Sequence, residues 1–167
     1  MPLYPFQRKL VAGIHRAVTE GASAVLMQAP TGAGKTSTIV EGVIAPSLAI
    51  GRRFVFAAHL EELIDDTAGR IRSMGIPCGT VKADRPADPT ALVQVCSTQT
   101  LASMLSRGVA LPPADRLVLD EAKRGSSSTN RQIIGHYKSA GALILRLEAT
   151  PCRGDEQPLD EFDAMEI

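Results

Sequence analysis

The chain has no tryptophan, two tyrosines and four phenylalanines in 167 residues. A core with so few rings must be aliphatic, as in sheets covered by helices. Cysteine is scarce too: Cys78, Cys96 and Cys152 are odd in number and widely spaced, with no C-x-x-C pair. This pattern excludes a disulfide framework and a zinc site of the usual spacing, and it predicts reduced thiols with Cys96 in the core. Neither sign of charge is in excess, Lys plus Arg and Asp plus Glu standing at 18 each. No global basic field advertises a polyanion, so any nucleic-acid contact must be local. No apolar run approaches membrane-spanning length, and the N-terminus has no charged-then-apolar leader. A soluble cytoplasmic protein with no membrane partner is expected. What the chain does have is 44% hydrophobic residues over the length of a single domain, enough for a sizeable core.

Its most informative stretch is Ala29-Pro30-Thr31-Gly32-Ala33-Gly34-Lys35-Thr36, read as a phosphate-binding loop. Gly32 and Gly34 let the backbone turn tightly so that successive N–H groups point at phosphate oxygens. Lys35 adds a point charge at the β- and γ-phosphates, Thr36 offers a hydroxyl to Mg²⁺, and the following helix presents its positive end. Ala29 stands where the usual pattern begins with glycine. Further along, Leu117-Val118-Leu119-Asp120-Glu121 is an apolar strand ending in two carboxylates. Asp120 would hold Mg²⁺ through its water shell, and Glu121 could polarise the attacking water. The two halves together predict a site for a nucleoside triphosphate and Mg²⁺; the resemblance given below makes the nucleotide ATP. The bland alternative is a glycine-rich turn between a strand and a helix.

The rest of the chain alternates strands and helices. Helical spacing runs over Phe6 to Glu20, stopped by Gly21. A strand over Ala24 to Gln28 leads into the loop, and a helix follows over Lys35 to about Ile50, with a break expected at Pro46. Strands are expected at Phe54–Ala58, Gly79–Lys82, Ala91–Cys96, Arg116–Asp120 and Ala142–Leu147. Helices fall at Leu60–Met74, Thr98–Leu105 and Asn130–Tyr137, with loops at Ala83–Thr90 and Gly125–Thr129. Strands apolar on both faces and separated by helices predict an α/β fold with a mostly parallel sheet, its ligands at the carboxyl ends of the strands. Arg153 to Ile167 has six acidic residues against one basic and weak periodicity, and reads as an acidic tail or linker. His15 and the Arg52-Arg53 pair read as solvated, His136 as a helix-end residue, and Ser126-Ser127-Ser128 as a loop with no base to activate it.

With these motifs in order, the chain resembles the first RecA-like domain of the DEAD/DEAH-box helicases and translocases of superfamily two. Tyr4-Pro5-Phe6-Gln7 is similar to the aromatic-Gln element before the first helix, which would place Gln7 on the adenine edge; a helix-capping segment is an equal reading. Ala57-Ala58-His59-Leu60-Glu61 occupies the place of the first nucleic-acid motif, and Ser97-Thr98-Gln99-Thr100 resembles the next. The resemblance implies that His59 lies near a nucleic-acid or interdomain surface and that Ser97, Thr98 and Gln99 meet phosphates. Asp120-Glu121-Ala122-Lys123 and Leu147-Glu148-Ala149-Thr150-Pro151 resemble the Asp-Glu-Ala-His and Ser/Thr-Ala-Thr-Pro motifs, and Thr150 would relay nucleotide state. There are departures: Leu60 and Glu61 replace basic residues, Lys123 replaces histidine, and Glu148 replaces a small hydroxyl residue. A compensating Lys123–Glu148 ion pair is one reading of the last two.

The expectation is therefore a three-layer RecA-like P-loop NTPase fold over residues 1–152, with 153–167 a tail or linker and no second RecA-like domain in the chain. The expected activity is Mg-dependent ATP hydrolysis coupled to movement along DNA or RNA once a second lobe, in cis or in trans, supplies its arginines, and weak hydrolysis without it. The alternative is a truncated or decayed module that binds nucleotide without turnover. A P-loop kinase or ABC-type ATPase is disfavoured, because neither an acceptor lid nor a Leu-Ser-Gly-Gly-Gln-like signature is present.

Overall fold

The computed structural model describes residues 3–59, 61–82, 86–120 and 128–149 and the backbone of 164–166, without the side chains of residues 61 and 62. Apolar strand runs dictate the centre of the molecule. Strands β1 (Ala24–Gln28), β2 (Phe54–Ala58), β3 (Cys78–Val81), β4 (Val93–Ser97), β5 (Arg116–Asp120), β6 (Leu143–Glu148) and β7 (Ala164–Glu166) form one seven-stranded sheet in the order β3-β4-β2-β5-β6-β1-β7. Every pairing is parallel. Parallel strands need crossovers, and helices supply them.

The period of two along each strand divides the core. On one face Val25, Met27, Phe54, Phe56, Val95 and Val118 meet helix α1 (Pro5–Thr19), the segment after the loop, and α4 (Glu61–Ser73). On the other, Val55, Ala57, Cys96, Leu117, Leu119 and Ile144 meet α5 (Thr98–Ser106) and α6 (Ser128–Ser139). All five residues of β2 are buried, as expected for a strand with both faces covered. Cys96 is fully buried and its thiol is pushed far up by desolvation, so it is an inert core residue as predicted. Tyr137 turns its ring into this second layer, and its hydroxyl donates to the Pro112 carbonyl at 2.8 Å. No helix among the described residues is long and apolar enough to cross a membrane.

Two expectations need correcting. Residues 164–166, assigned from sequence to a tail, are an edge strand paired with β1 through Val25↔Ala164 and Met27↔Glu166. Three residues are too few for a periodic signal, so the pairing partner decides. Nor does the helix after the loop break at Pro46. Helix α2 (Lys35–Ile39) widens into a π turn over Val40–Ile44 and resumes as α3 (Ala45–Leu48). The Ala45 N–H reaches back five residues to the Val40 carbonyl. Pro46 has no N–H for the carbonyl four residues before it, that of Gly42. His15 Nε2 takes that role at 3.1 Å, and since a carbonyl only accepts, this nitrogen carries the proton. His15 is exposed, as expected, yet it is not merely solvated.

The same turn brings α1 close. A Cβ on Gly42 would collide with the Val11 side chain. Alanine is favoured over glycine in a helix by about 1 kcal/mol, but overpacking costs roughly 1–3 kcal/mol. Gly42→Ala is therefore expected to lower stability by up to about 2 kcal/mol in urea unfolding, with Val11→Ala in the same chain recovering most of the loss. A stabilised single variant would contradict the close approach.

Candidate functional site

The phosphate loop leaves β1 at its carboxyl end, where Ala29 N–H donates to the Glu148 carbonyl of β6 at 2.9 Å. Gly32 and Gly34 have φ of 83° and 73°, the left-handed region where a Cβ is strained, so the glycine spacing is a backbone requirement. Gly34 is the residue before α2, and its carbonyl accepts from both the N–H and the hydroxyl of Thr38 at 2.9 Å. Ala33 N–H closes a turn on the Pro30 carbonyl at 3.1 Å. Lys35 folds back over the loop, its Nζ donating to the Ala29 carbonyl at 3.1 Å and the Pro30 carbonyl at 3.4 Å. Thr31 lies on the exposed rim between them.

Asp120 ends β5, two strands from β1 with β6 between them. The parallel direction brings its carboxylate to the loop, and Thr36 Oγ1 approaches Asp120 Oδ2 at 3.5 Å across 84 residues of sequence. These are the two side chains predicted to share a metal ion. Glu121, Lys123 and Thr150 lie outside the described residues, as does Leu60. Glu148 is 2% exposed. Arg146, two residues earlier on the same face of β6, is 7% exposed and is a buried cation that the sequence reading passed over.

Gln7 bears out the helix-capping reading of its segment. Its Oε1 accepts from Tyr4 N–H at 2.9 Å, which caps α1, and its Nε2 donates to the Ala33 carbonyl of the phosphate loop at 3.0 Å. With 5% of its surface exposed, the amide straps α1 to the loop. This explains the second glycine a second time, because a Cβ on Gly34 would sit 2.9 Å from Gln7 Nε2. Beside this strap a cavity of about 690 Å³ opens between the N-terminus of α1, the loop and α4. Its wall includes Tyr4, Phe6, Glu41, Arg70 and Met74, of which only Phe6 and Tyr4 were within a sequence motif. The available signal for the aromatic pair was scarcity: two of six rings in the chain fall within three residues.

The other motif residues gather at the same sheet edge, on β2 and β4. Gln99 Nε2 and His59 Nδ1 are 3.5 Å apart, and Gln99 is exposed. Ser97 and Thr98 are buried, so of the hydroxyls and N–H groups expected to meet phosphates at this turn, these two hydroxyls are turned inward. Ser97 has no exposed surface, and its Oγ caps α5 by accepting from Thr100 N–H at 2.9 Å and donates to Thr100 Oγ1 at 3.0 Å. Thr98 is 5% exposed. The helix cap accounts for the burial of the Ser97 hydroxyl. Near them Lys82 Nζ, after β3, pairs with Asp65 at 2.6 Å.

Comparison with known proteins follows the same lines. Residues 1–153 match the family described as type III restriction enzyme, res subunit. No curated protein sequence matches the chain. Among solved structures, a hypothetical ATP-dependent RNA helicase from Sulfolobus tokodaii superposes with a TM-score of 0.72 at 20% identity, over 100% of this chain and 53% of that one. The Hef helicase domain of Pyrococcus furiosus gives 0.71 at 22% identity, over 87% of this chain and 33% of that one. The type ISP restriction-modification enzyme LlaGI, solved with a DNA substrate mimic, gives 0.73 at 16% identity, over 99% and 19%. The chain thus spans about half the length of the first of these and a third or less of the others. By its sequence match this chain belongs to the type III restriction enzyme res-subunit family, and its fold is that of the N-terminal RecA-like domain of superfamily-two helicases.

Proposed function

We propose that this domain binds Mg·ATP in the loop 29–36 and, paired with a second RecA-like lobe, hydrolyses it to drive movement along nucleic acid. The observation that carries the reading is the meeting of Thr36 Oγ1 and Asp120 Oδ2 at 3.5 Å beside the Lys35 loop. A hydroxyl and a carboxylate are hard oxygen donors of the kind Mg²⁺ prefers, and this ion keeps several waters while taking only one or two carboxylates from protein. The lack of a larger acidic or histidine cluster among the described residues is consistent with that demand. When bound, the ion neutralises charge on the β- and γ-phosphates.

The chain's own groups do the rest. Loop N–H groups and the start of α2 hold phosphate oxygens, and Lys35 transfers its ammonium from two neutral carbonyls to the anion. Glu121 orients the attacking water, and Thr150 carries nucleotide state to the second lobe. DNA accompanies two structural relatives, LlaGI and the Sulfolobus solfataricus SWI2/SNF2 ATPase core, which supports a nucleic-acid substrate here. Gln99 and His59 are the proposed contacts on this lobe. A non-catalytic nucleotide-binding module is the competing reading. It is favoured by Glu148, a buried carboxylate where the family has a small hydroxyl.

Three measurements test this assignment. Lys35→Ala is expected to weaken Mg·ATP binding at least tenfold, about 1.4 kcal/mol, by titration calorimetry; superimposable isotherms would remove the phosphate-loop assignment. Glu121→Gln keeps shape but loses the carboxylate, so ATP affinity should hold while hydrolysis disappears. An unchanged rate in that variant would show that Glu121 does not orient the water. Joining the chain to a second RecA-like domain from a related helicase should raise turnover only when that domain retains its arginines, whose contribution is about 10³–10⁵-fold in comparable NTPases. A joined protein as slow as the single lobe would favour the non-catalytic module.

A further inference from the structure

The carboxyl ends of β3, β4 and β2 lie side by side, because these strands are neighbours in the sheet. Val81, Cys96 and Ala57 stand in one row across them. Lys82 follows that row on β3, His59 lies just past it after β2, and Gln99 just past it after β4. Three strands span on the order of 10 Å, so a nucleic-acid strand lying on His59 and Gln99, their proposed ligand, passes within reach of a lysine stem. Lys82 has the parity of Cys78 along β3, and Cys78 belongs to the core layer covered by α4. There the Lys82 ammonium meets Asp65 of α4 at 2.6 Å, the two side chains being 18% and 60% exposed. Among the described residues at these three strand ends, Lys82 is the only lysine or arginine. Helix α4 itself opens on four acids in six residues, Glu61, Glu62, Asp65 and Asp66.

A nucleic-acid backbone presents one negative charge per nucleotide, and lysine is a mobile point charge that donates and never accepts. In this chain the charge is already taken. The Asp65 carboxylate is the more open of the pair, so an approaching phosphate meets the acid before the ammonium and is repelled by it. Exposed ion pairs are weak, and a flexible stem can turn from one oxyanion to another, so the hold is a light one. The plain alternative is an acid near a helix start with an incidental surface bridge. The position of the lysine, alone among neutral and acidic groups at the proposed nucleic-acid edge, favours more than that. We propose that Lys82 is a latent phosphate contact, that Asp65 withholds it from the nucleic-acid backbone, and that this acid guard keeps the affinity of the lobe low. The inference rests on the nucleic-acid reading of this edge.

The experiment uses the intact chain and a labelled oligothymidylate, with binding followed by fluorescence anisotropy over a range of salt. Asp65→Asn is expected to tighten binding about fivefold, the scale of one surface ion pair. It should also steepen the fall of log K with log salt by about 0.7, the slope of one further phosphate neutralised on a single strand. Lys82→Ala alone should leave that slope unchanged, because in the parent its charge touches no phosphate. Adding Lys82→Ala to Asp65→Asn should return both affinity and slope towards the parent. Asp66→Asn removes the same charge from the next residue of α4 and should tighten binding far less. Asp65 and Asp66 are exposed, so the thermal unfolding midpoint of their variants should stay that of the parent.

Binding by Asp65→Asn no tighter than by the parent overturns the proposal. So does a gain that survives in the double variant or is matched by Asp66→Asn, since Asp65 would then be one repelling acid among several. A shallower slope for Lys82→Ala alone overturns it too, by showing that the parent already uses the lysine. Failure of the underlying nucleic-acid reading has a separate signature: oligothymidylate then binds neither the parent nor any variant at the lowest salt, and the inference falls with it.

Discussion

Strands β1 to β6 are each covered on both faces, and that one constraint organises the rest of the molecule. Beta2 through Phe54, Phe56 and Val55, Ala57 feeds two separate cores, and neither can be exposed without losing several buried side chains. Only crossover helices cover both faces while keeping the strands parallel, and parallel strands all finish at one edge. Residues with no proximity in sequence therefore collect there: the loop after β1, His59 after β2, Gln99 after β4 and Asp120 at the end of β5. The apolar interior is the cause, and the polar edge follows from it.

At that edge, precision comes from short polar contacts more than from packing. Gln7 ties α1 to the loop, Thr38 ties the loop to its own helix, and Ala29 ties it to β6. Each is a hydrogen bond worth about 0.5–1.5 kcal/mol net, too little to hold a fold but enough to select one loop conformation over its neighbours. The two left-handed glycines leave the loop few alternatives. A phosphate arriving there meets a loop whose shape is already set, which reduces the ordering that binding must impose.

Much of this was legible in the sequence because its signals were local. The strands from Ala24, Phe54 and Arg116 were visible as unbroken apolar runs, and their ends agree with the structure. The loop was visible because its glycines, lysine and threonine are contiguous. What the sequence concealed depended on partners far along the chain. Gln7 could be read as a helix cap from its neighbours, but its second contact, to the Ala33 carbonyl 26 residues on, could not. The π turn before Pro46 was hidden for a related reason: proline signals a missing donor, but only the fold reveals that His15 supplies one. The cavity wall joins α1 to α4 across some sixty residues, so no motif could announce Arg70.

Three contacts of α1 fall at intervals of four residues. Gln7 meets Ala33, Val11 faces Gly42, and His15 reaches the Gly42 carbonyl. Residues so spaced lie along one stripe of a helix, so α1 is matched to the segment beside it tooth by tooth. A sliding motion of one helix along the other would have to break all three at once, whereas a rocking motion could release the His15 end alone. The proline that removed a bond from within one helix thereby made a rung between two, two turns away from the loop it helps to align.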